Sequence, residues 1–184
     1  MYRRVLSFIA VIGVALLWAC DNGNDGTPSN TLEGTWNLET MTAKITAEAT
    51  VSTFTVTTEN NIEIVDPNYQ MTLEGGNLTA SGSYTVTNQV FIIGAEFTNL
   101  ENEITNAQGN GTYTSTDTQI TFTGGFINFN FDGTDLSATG EPAVSNYTIS
   151  GNVLTVSQDQ TVVESEQGTT VVTRFVSTAT WRRQ

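Results

Sequence analysis

Any chemistry in this chain has to come from carboxylates, hydroxyls and one thiol. Its 184 residues include no histidine and a single cysteine, Cys20, so a Ser-His-Asp triad, a Cys-His pair or an imidazole-based metal site cannot be assembled. Two carboxylates suffice for glycoside hydrolysis, and Asp132 with Asp135 or Glu101 with Glu103 have the spacing to be tried. Both pairs lie in polar, turn-like stretches where solvated surface acids are the common case. No phosphate-binding loop, dinucleotide fingerprint or cysteine-rich metal motif is present. The DNGNDG opening of residues 21–26 is a poor calcium loop, with Gly23 at a ligand position and Leu32 where the closing glutamate belongs. The expectation is a protein that is not an enzyme and that uses no metal or cofactor.

Cys20 is different, because its surroundings specify a reaction. Arg3 and Arg4 precede an apolar run, Val5 to Trp18, that is too short for an ordinary spanning helix and reads as an export signal. The run ends Leu16-Leu17-Trp18-Ala19-Cys20, which resembles the lipobox of bacterial lipoproteins. That resemblance implies cleavage after Ala19 and lipidation of Cys20. A lone thiol forms no intrachain disulfide, and acylation explains its presence in an exported chain. Residues 1–19 are then the signal peptide and 20–31 a Gly-, Asn- and Ser-rich flexible tether.

Residues 32–184 make one domain's worth of chain. All 19 acidic residues follow Cys20, where only Lys44, Arg174, Arg182 and Arg183 oppose them, so the mature charge is −15. A field of that sign works against nucleic acid as a partner.

Threonine, valine, isoleucine and aromatic residues dominate the domain, with Gly and Asn as punctuation and no helical periodicity. This predicts an all-β fold of nine to eleven short strands. A ten-residue phrase recurs at 84–93 (YTVTNQVFII), 113–122 (YTSTDTQITF) and 147–156 (YTISGNVLTV). Each reads as a hairpin around a two-residue loop, at Asn88-Gln89, Asp117-Thr118 and Gly151-Asn152. The resulting register sets Tyr84 opposite Ile93, Val86 opposite Phe91, Tyr113 opposite Phe122 and Tyr147 opposite Val156, while the threonines fall on the other face with Val90, Ile92 and Val153. Further strands are expected at 35–43, 51–58, 69–73, 126–131 and 169–181, with a variable connection over 99–110. A sequential antiparallel meander must cover its apolar face by closing on itself or by packing as a two-sheet β-sandwich. Closure into a barrel is preferred because it removes exposed edges.

Leu32-Glu33-Gly34-Thr35-Trp36 looks like the G-x-W opening of lipocalins, and residues 32–184 resemble the lipocalin-like lipoprotein domains of Bacteroidetes-type bacteria. The resemblance implies an up-and-down lipocalin-like β-barrel whose end is closed by Trp36 with a late arginine packed across it, for which Arg182 is preferred to Arg174. It also implies the bacterial cell envelope, with the outer membrane favoured. The inward face would carry Tyr84, Phe91, Tyr113, Phe122, Phe129, Tyr147 and Leu154, the speculative ligand-binding set. Such a list suits either a pocket for a small apolar ligand or a packed core. Two functions follow: a lipid-anchored binding protein, or a structural or accessory surface lipoprotein that contacts a protein or glycan. In both, the membrane is a partner through the N-terminal lipid.

Overall fold

The computed structural model describes residues 31–124, 130–131, 134–135, 143–166 and 169–184. The strands are β1 (Gly34–Val51), β2 (Phe54–Glu74), β3 (Asn77–Ile92), β4 (Ala95–Ser115), β5 (Gln119–Thr123), β6 (Asn130–Phe131), β7 (Thr134–Asp135), β8 (Ala143–Ser150), β9 (Val153–Glu166) and β10 (Thr169–Arg183). Eight of them form one antiparallel meander in the ring order β1-β10-β9-β8-β5-β4-β3-β2, while β6 and β7 pair only with each other. The expected all-β meander is thus a closed ring of hydrogen bonds, and the sandwich alternative is not adopted. The seam joins the first and last strands, with Trp36 opposite Arg183 and Val51 opposite Thr169.

Two of the three expected hairpins have the anticipated register. Tyr113 faces Phe122 and Ser115 faces Ile120 across the Asp117-Thr118 turn, and Tyr147 faces Val156 and Ile149 faces Leu154 across Gly151-Asn152. The first hairpin does not form. β3 runs unbroken through Asn88 and Gln89, and the chain reverses at Ile93-Gly94, where both residues have positive φ, 51° and 76°. A two-residue turn of this kind needs positive φ at both central positions. Gly94 supplies one of them, whereas the Asn88-Gln89 pair contains no glycine.

The correction reverses the faces beyond it. In an unbroken strand Val90 follows the parity of buried Tyr84, Val86 and Asn88, while Phe91 shares the outer parity of Thr85 and Thr87. Phe91 therefore leaves the expected inward set. The 99–110 connection is also strand: it forms the middle of β4 and pairs with β3 from Thr79 to Gln89. Lys44 to Val51 extends β1, so the expected 51–58 strand is split by the turn after Val51. Most of 126–131, including Phe129, lies outside the described residues.

Among the described residues the ring is closed in one half only. β5 meets β4 at residues 112–115 and β8 meets β9 at 153–157. Beyond those contacts β4, β3, β2, β1, β10 and β9 continue as a six-stranded wall among the described residues. Side chains from all parts of the closed half converge inward: Trp36 and Leu38, Tyr69, Met71 and Leu73, Leu78, Tyr84 and Val86, Tyr113, Ile120 and Phe122, Leu154, and Trp181. Burying a large aliphatic or aromatic side chain contributes about 1.5–3 kcal/mol, so this shared interior is the main source of stability.

β2 and β3 approach unusually closely where β2 is irregular, between Val65 and Asn68. Asp66 has φ 48° and Pro67, which cannot donate to a ladder, follows it. Opposite the break stands Gly82, with φ 141°, and a Cβ built on it would lie 2.1 Å from the carbonyl oxygen of Asn68. Only a residue without a side chain fits there.

Candidate functional site

The closed end is built by the segment entering β1 and the residues leaving β10. Trp36 is fully buried and donates its indole Nε1–H to the Leu32 carbonyl at 2.9 Å. The Arg183 guanidinium lies 4.3 Å from the centre of the Trp36 ring, donates from Nη1 to the Glu33 carbonyl at 2.7 Å and from Nη2 to the Thr31 carbonyl. Strand alternation decides which arginine does this: Trp181 points inward, Arg182 outward to Glu39, and Arg183 inward again. The expectation of Arg182 is thus corrected to Arg183. Arg174 is an outer-face residue paired with Asp159 at 2.7 Å, whose carboxyl it holds below the usual range by hydrogen bonding.

Gly34 permits the packing, since its φ is 132° and a Cβ there would stand 2.7 Å from Arg183 Nη1. Beside it the Glu33 carboxylate accepts from the Gly75 backbone N–H at 3.0 Å and from the Tyr113 hydroxyl at 2.6 Å. Desolvation first, then the bond to Glu33, push the Tyr113 phenol up to about 12. A cleft of about 440 Å³ is lined by Leu32, Glu33, Tyr113, Thr116 and Tyr147. At its edge the Tyr147 hydroxyl donates to the Thr116 carbonyl at 2.8 Å.

Because the folded-state value of Tyr113 is raised, the neutral phenol contributes stability that is fully present below about pH 10, its unfolded value, and is lost as the pH rises towards about 12. Tyr113→Phe is expected to lower stability at pH 7 by about 1–2 kcal/mol. It should also flatten the fall in melting temperature between pH 10 and 12, which thermal unfolding across that range measures. Tyr69, raised further by burial, retains its own alkaline contribution in the variant.

Of the seven aromatic and aliphatic residues expected to line a pocket, Tyr84, Tyr113, Phe122 and Leu154 are brought together in one buried cluster, and Tyr147 packs partly buried against it. Two residues the hairpin phrase does not contain are central to it. Tyr69 meets Tyr84 edge-on at 5.1 Å and Trp181 at 6.3 Å. The alternation Ala179-Thr180-Trp181 was the available signal for Trp181, with Ala179 and Trp181 buried and Thr180 between them on the other face.

Above this layer the interior turns polar. Asn88 is 4% exposed; its amide nitrogen donates to Asn60 Oδ1 at 3.4 Å, and its own Oδ1 meets no donor among the described residues. The outer wall bears a shallow cleft of about 320 Å³ with Lys44, Asn61, Glu63 and Gln89 at its surface. Lys44 is paired there with Glu59 at 2.7 Å. Glu101 and Glu103 are both exposed on β4, side by side on one face of the strand. Asp132 is outside the described residues.

No protein-family model, curated protein or solved structure matches this chain. The functional reading therefore rests on the residues themselves.

Proposed function

We propose that this chain is a lipid-anchored lipoprotein of the bacterial cell envelope, an accessory protein with a filled, lipocalin-like barrel that contacts a partner through its outer surface. One observation carries the reading: the aromatic side chains that could have lined a pocket are packed into a shared core, with Tyr84 edge-on to Tyr69 and Tyr69 against Trp181. The arrangement of Gly34, Trp36 and Arg183 supports the lipocalin likeness, because each position of the opening motif has a packing reason. The Leu16 to Cys20 segment supports the anchor, and the outer membrane is the favoured location.

Cys20→Ala in the full chain tests the anchor. The wild type is expected in the detergent phase of a cloud-point extraction and the variant in the aqueous phase; equal partitioning removes the reading. Protease digestion of intact cells then reports the side, with survival of the domain placing it inward.

A second reading has one specific observation behind it. The buried, unsatisfied acceptor of Asn88 would suit a small apolar ligand carrying a hydrogen-bond donor, since an unpaired buried group costs about 1–3 kcal/mol. Native mass spectrometry of protein extracted from cells decides between the two. A retained small molecule, lost in Asn88→Leu, favours the ligand; the bare mass favours the accessory protein.

A further inference from the structure

The outer wall is hollowed where β1 and β2 come back together. Their ladder is interrupted between Asn37 and Met41 and resumes at Met41 opposite Ile64, with Thr42 opposite Glu63 next. The cleft of about 320 Å³ begins at that second pair. Register sets its outward side chains in two rows across β10, β1, β2 and β3. Thr178, Thr42, Glu63 and Thr87 form one row, and Lys44, Asn61 and Gln89 form the next, with Val176 as its apolar end. Neighbours within a row stand roughly 5 Å apart. Lys44 and Asn61 both bond the Glu59 carboxylate, at 2.7 Å and 3.0 Å. The cation is thereby neutralised, and the Asn61 amide is held in one plane with its carbonyl left to accept. Phe91 shares this outer face, opposite Glu59 and following Gln89 in outward order. Among the described residues it is not packed on the core.

We propose that this cleft binds a neutral glycan, with Asn61, Gln89 and Glu63 bonding its hydroxyls and Phe91 receiving the C–H face of a sugar ring beside them. The proposal rests on the accessory reading above and gives its outer surface a site and a ligand class.

The lining selects that class by its chemistry. Amides and hydroxyls present donors and acceptors side by side, which suits a ligand whose every hydroxyl is both. Glu63 is exposed and pairs with no cation among the described residues, so its two oxygens are placed to accept from neighbouring hydroxyls. An anionic ligand meets that carboxylate and the strongly negative net charge of the chain. A cationic ligand meets Lys44 in the lining. A protein interface needs an apolar or aromatic anchor at its centre, whereas the centre here is Asn61 with Lys44, and the one aromatic ring stands to the side.

The test is calorimetric titration of the full chain in detergent with neutral hexaoses of glucose, mannose, galactose and xylose, and with the hexamer of galacturonic acid as their charged counterpart. The expected result is saturable binding of at least one neutral hexaose that is indifferent to salt. Asn61→Leu and Gln89→Leu should each weaken it about tenfold, the worth of one hydrogen bond, and Phe91→Ala should weaken it as well. Asn146→Leu, on the outer face of β8, should leave it unchanged. None of these positions belongs to the buried core, so the variants should melt with the parent. No binding of any neutral hexaose, equal binding of the galacturonate hexamer, or binding that survives both amide variants would each overturn the proposal. Failure of the accessory reading shows in a different measurement, as a small molecule retained by the barrel and lost in Asn88→Leu, whatever the titrations give.

Discussion

Arg183→Ala is expected to lower the melting temperature by about 6–12 °C, while Arg182→Ala changes it by no more than about 1–2 °C. The guanidinium of Arg183 contributes cation–π attraction of about 0.5–2 kcal/mol over a buried indole. Its charge-assisted bonds to the carbonyls of Glu33 and Thr31 add roughly 1.5–2 kcal/mol together after allowance for partial exposure. Arg182 has one exposed partner, Glu39, and holds nothing else in place. Thermal unfolding of the two variants measures the difference directly, and equal losses would mean that the closed end is not fastened by the residue stacked on Trp36. Gly34→Ala should weaken the same fastening, because a side chain at φ 132° is strained and displaces Nη1.

Gly82→Ala is expected to cost about 3–5 kcal/mol, the sum of a backbone conformation open essentially to glycine alone and the steric overlap with β2. A methyl group 2.1 Å from the Asn68 oxygen and 2.8 Å from the Tyr69 Cα cannot be relieved by rotating a side chain, since both neighbours are main chain. The strands must part. Tyr69 sits at that point with its ring against Tyr84 and Trp181, so the separation reaches the core. The expected readouts are a melting temperature lower by about 10 °C or more and faster amide exchange around Tyr69 than around Ile149. A variant as stable as the parent would show that β2 and β3 are not in such close contact.

The fold class was legible because the hydrophobic pattern and the turn chemistry agreed where the ring is closed. At 113–122 and 147–156 the alternation and the loop pairs point to one register, and the strands adopt it. At 84–93 they conflict: Asn88-Gln89 is polar enough for a turn, yet Asn88 lies buried in an unbroken strand and the reversal falls at Ile93-Gly94. Placing the turn five residues early put Phe91 on the wrong face. The middle of β4 was illegible for another reason. Leu100, Asn102 and Ile104 share one face, but among the described residues only Ile104 of the three packs against the core, so the wall beyond β5 and β8 imposes too little burial to write a clear alternation. Preferring Arg182 to Arg174 for its place at the end of the last strand passes over Arg183, which parity counted from buried Trp181 sets on the inward face.

The seam between β1 and β10 ties the first described strand to the last. Contacts separated by nearly the whole domain are slow to form because the chain entropy must be spent before they are rewarded. A polypeptide synthesised amino-end first thus carries Trp36 uncovered until Trp181 and Arg183 have followed. Loss of the final four residues would remove both cover and clasp, leaving a half-wrapped sheet exposed to proteases and to its own neighbours.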